Sequence, residues 1–175
     1  MIREATPEDA AACAVIYAPY VTDSIISFET VPPTAAEMER RIRAAHLWLV
    51  AEREGEVCGY AYGSSHRERD AYRWAADVAI YLSAEHHGRG LGRGLYAELF
   101  DGLRERGICV VCAGIGLPNA ASEGLHRAMG FTEVGVYRRI GFKFGRWVDV
   151  RWYQLDLQPA LEAPPPARAG AALRG

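Results

Sequence analysis

The sequence predicts an α+β (α/β) fold, a mixed sheet with helices on both of its faces. Three observations carry this. Segments of strand and helix character follow in the order β-α-α-β-β-β-α-β-α-β-β, without the strict alternation of an all-parallel sheet. The chain has 175 residues, 50% of them hydrophobic and 24% charged, which suits one domain with a sizeable core. One strand also runs into a helix through a glycine-rich junction, "YLSAEHHGRGLGRGLYAEL" at 81–99.

Residues 1–5 read as a short strand. In "TPEDAAACAVIYAPYV" Thr6 stands at a helix cap and Pro7 at the first helical position. "SIISFETVPP" is a loop carrying an aromatic. "TAAEMERRIRAAH" reads as a second helix, with Thr34 and Glu37 at capping-box spacing. "LWLVAEREGEVCGYAYGSSH" is two strand-like runs around a turn at Gly55, and "ERDAYRW" is a loop or a short helical turn. "AADVAIYLSAE" is a strand, "GLGRGLYAELFDGLRERG" a helix ending at Gly107, and "ICVVCAGI" a strand. "NAASEGLHRAMG" is a helix with Asn119 near its start and Gly130 at its stop. "FTEVGVYRRIGFKFGRWVDVRWYQLDL" is two long strands joined around Phe144–Gly145–Arg146. Residues 1–157 form the single domain. The Pro- and Ala-rich stretch 158–175 has no core-forming pattern and reads as a flexible tail.

The net charge of −2 argues against a nucleic-acid or anionic-membrane partner. No apolar run approaches the roughly 20 residues needed to cross a bilayer, and the N-terminus lacks a basic-then-apolar signal. The expected location is cytoplasmic. Of the four cysteines, Cys109 and Cys112 form a C-x-x-C inside an apolar strand. Strand alternation points them to opposite faces, so they read as small buried hydrophobes. No second ligand pair stands nearby, and no metal is expected.

Gly88, Gly90, Gly92 and Gly94 are costly residues at a helix start. A helix start offers unpaired N–H groups and partial positive charge, and glycines let a phosphate come close. Arg89 and Arg93 add charge, so the candidate ligand is a pyrophosphate. The pattern is not a Walker loop and lacks the third glycine of the dinucleotide fingerprint. His87-x-x-Gly90-x-Gly92 resembles the coenzyme A loop of the GNAT superfamily of N-acetyltransferases, although His87 stands where the usual pattern has Gln or Arg. Asn119 and a helix closing on "AMGF" are a second family mark. Within that superfamily, "IGLPNAASEGLHRAMGF" (115–131) and "GFKFGRWVDVRWYQLDL" (141–157) resemble the phosphinothricin and methionine sulfoximine acetyltransferases.

The resemblance implies a central mixed, mostly antiparallel sheet of about seven strands flanked by about four helices. It implies acetyl-CoA as co-substrate and direct attack by a primary amine of a small amino-acid-like molecule. Tyr81 and Leu82 match a bulged strand segment whose backbone faces the thioester, and Asn119 and Ser122 join the coenzyme set. Asp77 stands where relatives carry a glutamate base. His126 stands where they carry an acid or base, and imidazole suits either role. Asn119 reads as a pantetheine or water ligand, as a helix cap, or as both. Phe28, Arg67, Arg69, Tyr72 and Ala79 match the acceptor pocket. Its arginines would clamp an oxyanion or remain solvated loop charges. Ala79 replaces a threonine of the relatives. "FKFGRWVDVRW" reads as strand core or as a dimer contact, and relatives of this branch are commonly homodimers. Two other readings remain: acetylation of another amine or a protein N-terminus, and a coenzyme-binding relative without turnover.

Overall fold

Side chains alternate across each strand, so apolar residues divide between two faces and helices cover both. In the computed structural model, which describes residues 1–158, the chain runs β1 (Ile2–Glu4), α1 (Ala10–Thr22), α2 (Ala35–Ala44), β2 (Leu47–Arg53), β3 (Glu56–Ser65) and β4 (Ala75–Leu82). It continues through α3 (Leu91–Glu105), β5 (Val110–Gly116), α4 (Ala120–Ala128), β6 (Thr132–Lys143) and β7 (Arg146–Asp156). The seven strands form one sheet, ordered β1-β2-β3-β4-β5-β7-β6. Leu95, Leu99 and Leu103 of α3 are fully buried against Ala61, Ala76, Val78 and Val111 on one face. Each such leucine contributes about 1.5–3 kcal/mol. On the other face, Cys13, Ile16 and Tyr17 of α1 and Met38 and Ile42 of α2 cover Trp48, Val50 and Tyr60.

The local signals operate as expected, with some differences. Thr34 Oγ1 accepts from the Glu37 N–H at 3.2 Å. Pro7 opens a 3-10 turn (Pro7–Asp9), and α1 begins only at Ala10. There the Asp9 carboxylate accepts from the Thr6 N–H (2.8 Å) and from both Nη groups of Arg3. The last hairpin turns on Phe144–Gly145, both at positive φ, and Arg146 already belongs to β7. Cys109 and Cys112 are half-buried, not buried. Gln158, expected at the start of the tail, donates to the Ile108 carbonyl (3.1 Å), while 159–175 lie outside the described residues. Among the described residues no helix is long and apolar enough to cross a membrane.

One feature of the sheet positions the candidate site. Only β4 and β5 run parallel, and they pair at just Ala75↔Val110, Ala76↔Val111 and Asp77↔Cys112. Beyond Asp77, β4 stays with β3 up to Leu82, while β5 stays with β7 up to Gly116. The two strands part, and the sheet opens.

Candidate active site

The opening points at the glycine junction. Gly88 and Gly90 adopt φ of 72° and 78°, the left-handed region that side chains resist. Gly90 caps α3 with no side-chain hydrogen bond, and its carbonyl takes the Arg93 and Gly94 N–H groups (3.1 and 3.3 Å). The N–H groups just ahead are therefore the unpaired donors of a helix start, beside exposed Arg89 and Arg93. Gly92 and Gly94 also have a packing role. Gly92 is buried, and a Cβ there would lie 3.4 Å from Ile80 Cδ1 and Leu125 Cδ2; one at Gly94 would meet Ile2. They let α3 lie close to the sheet. The glycines thus give positive φ at 88 and 90 and close packing at 92 and 94.

The strand before the junction has no bulge. Its register against β3 is unbroken from Ala76 to Leu82. The free backbone comes instead from the parting of β4 and β5. The Ser83 N–H bonds the Cys58 carbonyl (3.0 Å), so by alternation Tyr81 directs its N–H at β3, and Ile80 and Leu82 direct theirs at the open edge. Of the two expected residues, Leu82 turns its backbone that way, with its N–H 3.4 Å from the Tyr20 hydroxyl. Tyr81 contributes its ring, packed against Tyr17, Tyr20 and Tyr60. Tyr20 on α1 spans the end of this edge, donating to the Leu82 carbonyl (2.6 Å). His87 turns back onto the same carbonyl (3.2 Å) and the Tyr20 hydroxyl (2.9 Å), so it braces the edge as well as flanking the loop.

Asp77 and His126 lie on opposite faces of the sheet. His126, on α4, is 3% exposed and packs on Tyr96, Phe131 and Tyr153. Its Nδ1 lies 2.8 Å from the Ser122 carbonyl, which only accepts, so Nδ1 carries the proton and Nε2 accepts from the Tyr96 hydroxyl (3.0 Å). Burial lowers the pKa of this imidazole below its usual value. Asn119 caps α4, accepting from the Ser122 N–H at 3.2 Å, so the capping reading holds. Asn119, Ser122, His126 and Tyr96 line a narrow cleft with Ala79 and Ile80 of β4. Ala79 lines this cleft while sharing its strand face with Asp77 and Tyr81, so it stands where the parted strands join the two sides.

On the other face a cavity of about 530 Å³ is lined by Asp77, Phe28, Glu29, Tyr17, Val150 and Trp152, among others. Phe28 lies over Gly116 and Gly141; a Cβ at Gly141 would overlap its ring. Its loop is held by Tyr17, whose hydroxyl is 2.6 Å from Ser27 Oγ, and by Arg41, which donates to Glu29 (2.6 Å). Buried Lys143 donates to the carbonyls of Val21 (2.7 Å) and Ser27 (2.6 Å). Asp77 is half-buried, and burial raises its pKa, opposed by a hydrogen bond from His66 (2.7 Å) and the charge of Arg67. Arg67, Arg69 and Tyr72 do come together, but around a neighbouring cavity of about 580 Å³ that they share with His66. The structure does not bring them to the walls of the Phe28–Asp77 cavity.

Four residues of this arrangement carry no local signal in the sequence: Tyr96, His66, Trp152 and Lys143. Tyr96 sits at a core spacing in its helix, and His66 in a polar strand end. Only the tertiary fold brings them to the site.

The comparisons agree with this geometry. A family model described as an acetyltransferase (GNAT) domain matches residues 2–152. The chain belongs to the GNAT acetyltransferases. It is 41% identical over 167 residues to a phosphinothricin N-acetyltransferase of Streptomyces viridochromogenes, covering 94% of this chain and 90% of that protein. It is 39% identical over 160 residues to an L-methionine sulfoximine/L-methionine sulfone acetyltransferase of Salmonella typhimurium, covering 89% and 94%. A solved phosphinothricin acetyltransferase of Sinorhizobium meliloti, in complex with acetyl-CoA, superposes with a TM-score of 0.88 at 35% identity, over 96% of both chains. The enzyme is an acetyl-CoA-dependent N-acetyltransferase, and the cradle at Gly88–Gly90 beside an open strand edge fits that co-substrate.

Proposed function

We propose that this enzyme acetylates the primary amine of a small amino-acid-type molecule of the phosphinothricin, methionine sulfoximine or methionine sulfone kind. The observation that carries the reading is the parting of β4 and β5, which joins the glycine-capped helix start to the Phe28–Asp77 cavity. Relatives named for these substrates support it.

Acetyl-CoA supplies the acetyl group. The backbone N–H groups at Gly88–Gly92 take its pyrophosphate, with Arg89 and Arg93 adding positive charge. Ile80 and Leu82 at the open edge, with Asn119 and Ser122 opposite, take the pantetheine arm in strand fashion. Asp77 holds the ammonium form of the acceptor and accepts its proton, which frees the lone pair for attack. Phe28 and Trp152 wall the acceptor, and Arg67 and Arg69 attract its anionic end from the adjoining cavity. On the opposite face, His126 and Tyr96 form the pair that governs protons on the coenzyme side. Separating Asp77 from the His126–Tyr96 pair keeps the amine's base from neutralising the group that meets the departing sulfur.

A homodimer belongs to the same reading. The β6–β7 hairpin exposes Val134, Tyr137, Ile140, Phe142, Phe144 and Trp147, an apolar strip that favours a second copy over water. A cytoplasmic location is supported by four cysteines without disulfides. The test is thiol release from acetyl-CoA with phosphinothricin, methionine sulfoximine, methionine sulfone, the common amino acids, a polyamine and a lysine peptide. Turnover with the first three is expected. Silence there with turnover of the peptide would contradict the proposal.

A further inference from the structure

Asp77 is a short carboxylate on a strand, and its side chain alone leaves the torsion to its oxygens soft. A base that must meet an amine needs that torsion fixed. His66 supplies the missing constraint. It follows β3, and its Nδ1 lies 2.7 Å from Asp77 Oδ1. A carboxylate oxygen only accepts here, so Nδ1 carries the proton and donates, whatever the charge on the ring.

The ring itself has little freedom. It meets Tyr72 edge-on with centroids 5.6 Å apart and Trp152 at 6.5 Å, the planes 87° from parallel. Its side chain is 18% exposed, against 32% for Asp77. His66 also lines both cavities that flank the acceptor pocket, the arginine cavity and one toward Tyr137 and Trp152. It does not line the cavity that Asp77 and Phe28 share. The imidazole therefore stands behind the carboxylate, away from the place where an amine would sit.

We infer that His66 is a positioning residue for the reaction: its Nδ1–H pins Asp77 Oδ1 and leaves the other carboxylate oxygen to face the amine. The inference rests on Asp77 being the amine's base. In the step it serves, the substrate's N–H bond breaks, the proton passes to the carboxylate, and the electron pair stays on nitrogen. His66 keeps its own proton throughout. The polar groups facing Asp77 from the elements around it are few. They are the Arg67 guanidinium, the Tyr62 hydroxyl on β3, the Cys112 thiol on β5 and, around the cavity, Tyr17, Tyr81 and Glu29. Of these neighbours, His66 is the one that gives the carboxylate a short hydrogen bond.

The test compares His66→Phe, His66→Asn and Asp77→Asn in the full chain, with the best small amine from the acceptor panel. His66→Phe keeps an aromatic ring but loses the donor. His66→Asn keeps an N–H at the Nδ1 position. The expected result is a fall of about 10- to 100-fold in kcat for His66→Phe, with KM for acetyl-CoA unchanged. The acid limb of its kcat/KM profile should move to higher pH, because a hydrogen bond to the ionised carboxylate is gone. His66→Asn should recover most of the rate and return the limb toward its original position. Equal kcat in wild type and His66→Phe, while Asp77→Asn is inactive, would overturn the inference and leave the base in place. Full activity of Asp77→Asn would overturn the base reading itself. Loss of activity with EDTA, restored by Zn²⁺, would also overturn the inference, since His66, Asp77 and Cys112 would then be ligands.

Discussion

The two sides of the opened sheet are built from different material. The side proposed for the coenzyme is made of backbone: left-handed Gly88 and Gly90, a helix start without a side-chain cap, and the strand edge at Ile80 and Leu82. The acceptor side is made of side chains from distant segments: Phe28 before α2, His66 after β3, Asp77 on β4 and Trp152 on β7. Backbone recognition tolerates sequence change, and His87 in the loop illustrates it. Side-chain recognition does not, so the proposed function puts specificity on the acceptor face.

Breaking each side should therefore give a different kinetic signature. The largest expected effect is at Asp77. Asp77→Asn should lower kcat/KM for the amine by about 10²–10⁴-fold, with KM for acetyl-CoA little changed in steady-state assays. With Asp77 as the proposed base, the same residue should set the acid limb in the wild type. The base works only when ionised, and burial raises its pKa. Activity should thus fall, as pH drops, at a pH above the ordinary aspartate value of about 3.9. A kcat/KM profile against pH checks this.

Next comes the backbone side. Gly90→Val forces a β-branched residue to positive φ and crowds the anion cradle. KM for acetyl-CoA should rise by about tenfold or more, with a loss of about 1–2 kcal/mol in stability, while kcat at saturation holds. An unchanged KM would remove the cradle from coenzyme binding. A smaller effect is expected at Gly141→Ala, where the added methyl displaces the Phe28 ring. KM for the acceptor should rise a few-fold without any change for acetyl-CoA; movement of both constants together would blur the two sides into one.

The smallest kinetic effect lies in the scaffold. Asp9 holds the Arg3 fork, and that hydrogen bond is the main cause of its lowered pKa. A depressed carboxylate stabilises the fold fully above its unfolded value, near 3.9, and the contribution fades as pH falls through the lower folded value. Asp9→Asn should cost about 1–3 kcal/mol at neutral pH. The difference in Tm from wild type should shrink below pH 3.9.

What the sequence revealed follows the same division. The seven strands and four helices were legible from periodicity, caps and turns, since each is a local signal. Gly88 and Gly90 were legible because a positive φ writes itself as glycine. Asp77, His126, Asn119 and Phe28 were reached through the resemblance. The parting of β4 and β5 was not legible, because strand register is a tertiary outcome, and a bulge was expected in its place. For the same reason the opposite placement of Asp77 and His126, and the partners Tyr96 and His66, came only with the fold. Arg67 and Arg69 were expected in the acceptor pocket and instead line the cavity next to it.

The most direct measurement is a two-substrate grid of initial rates, varying acetyl-CoA and a small amino-acid acceptor, for wild type and Asp77→Asn. Turnover of the small amine by the wild type is expected, with the variant losing kcat and keeping KM for acetyl-CoA. Equal turnover by both proteins, or a KM for acetyl-CoA that rises along with the loss of rate, would contradict an acceptor side built around Asp77.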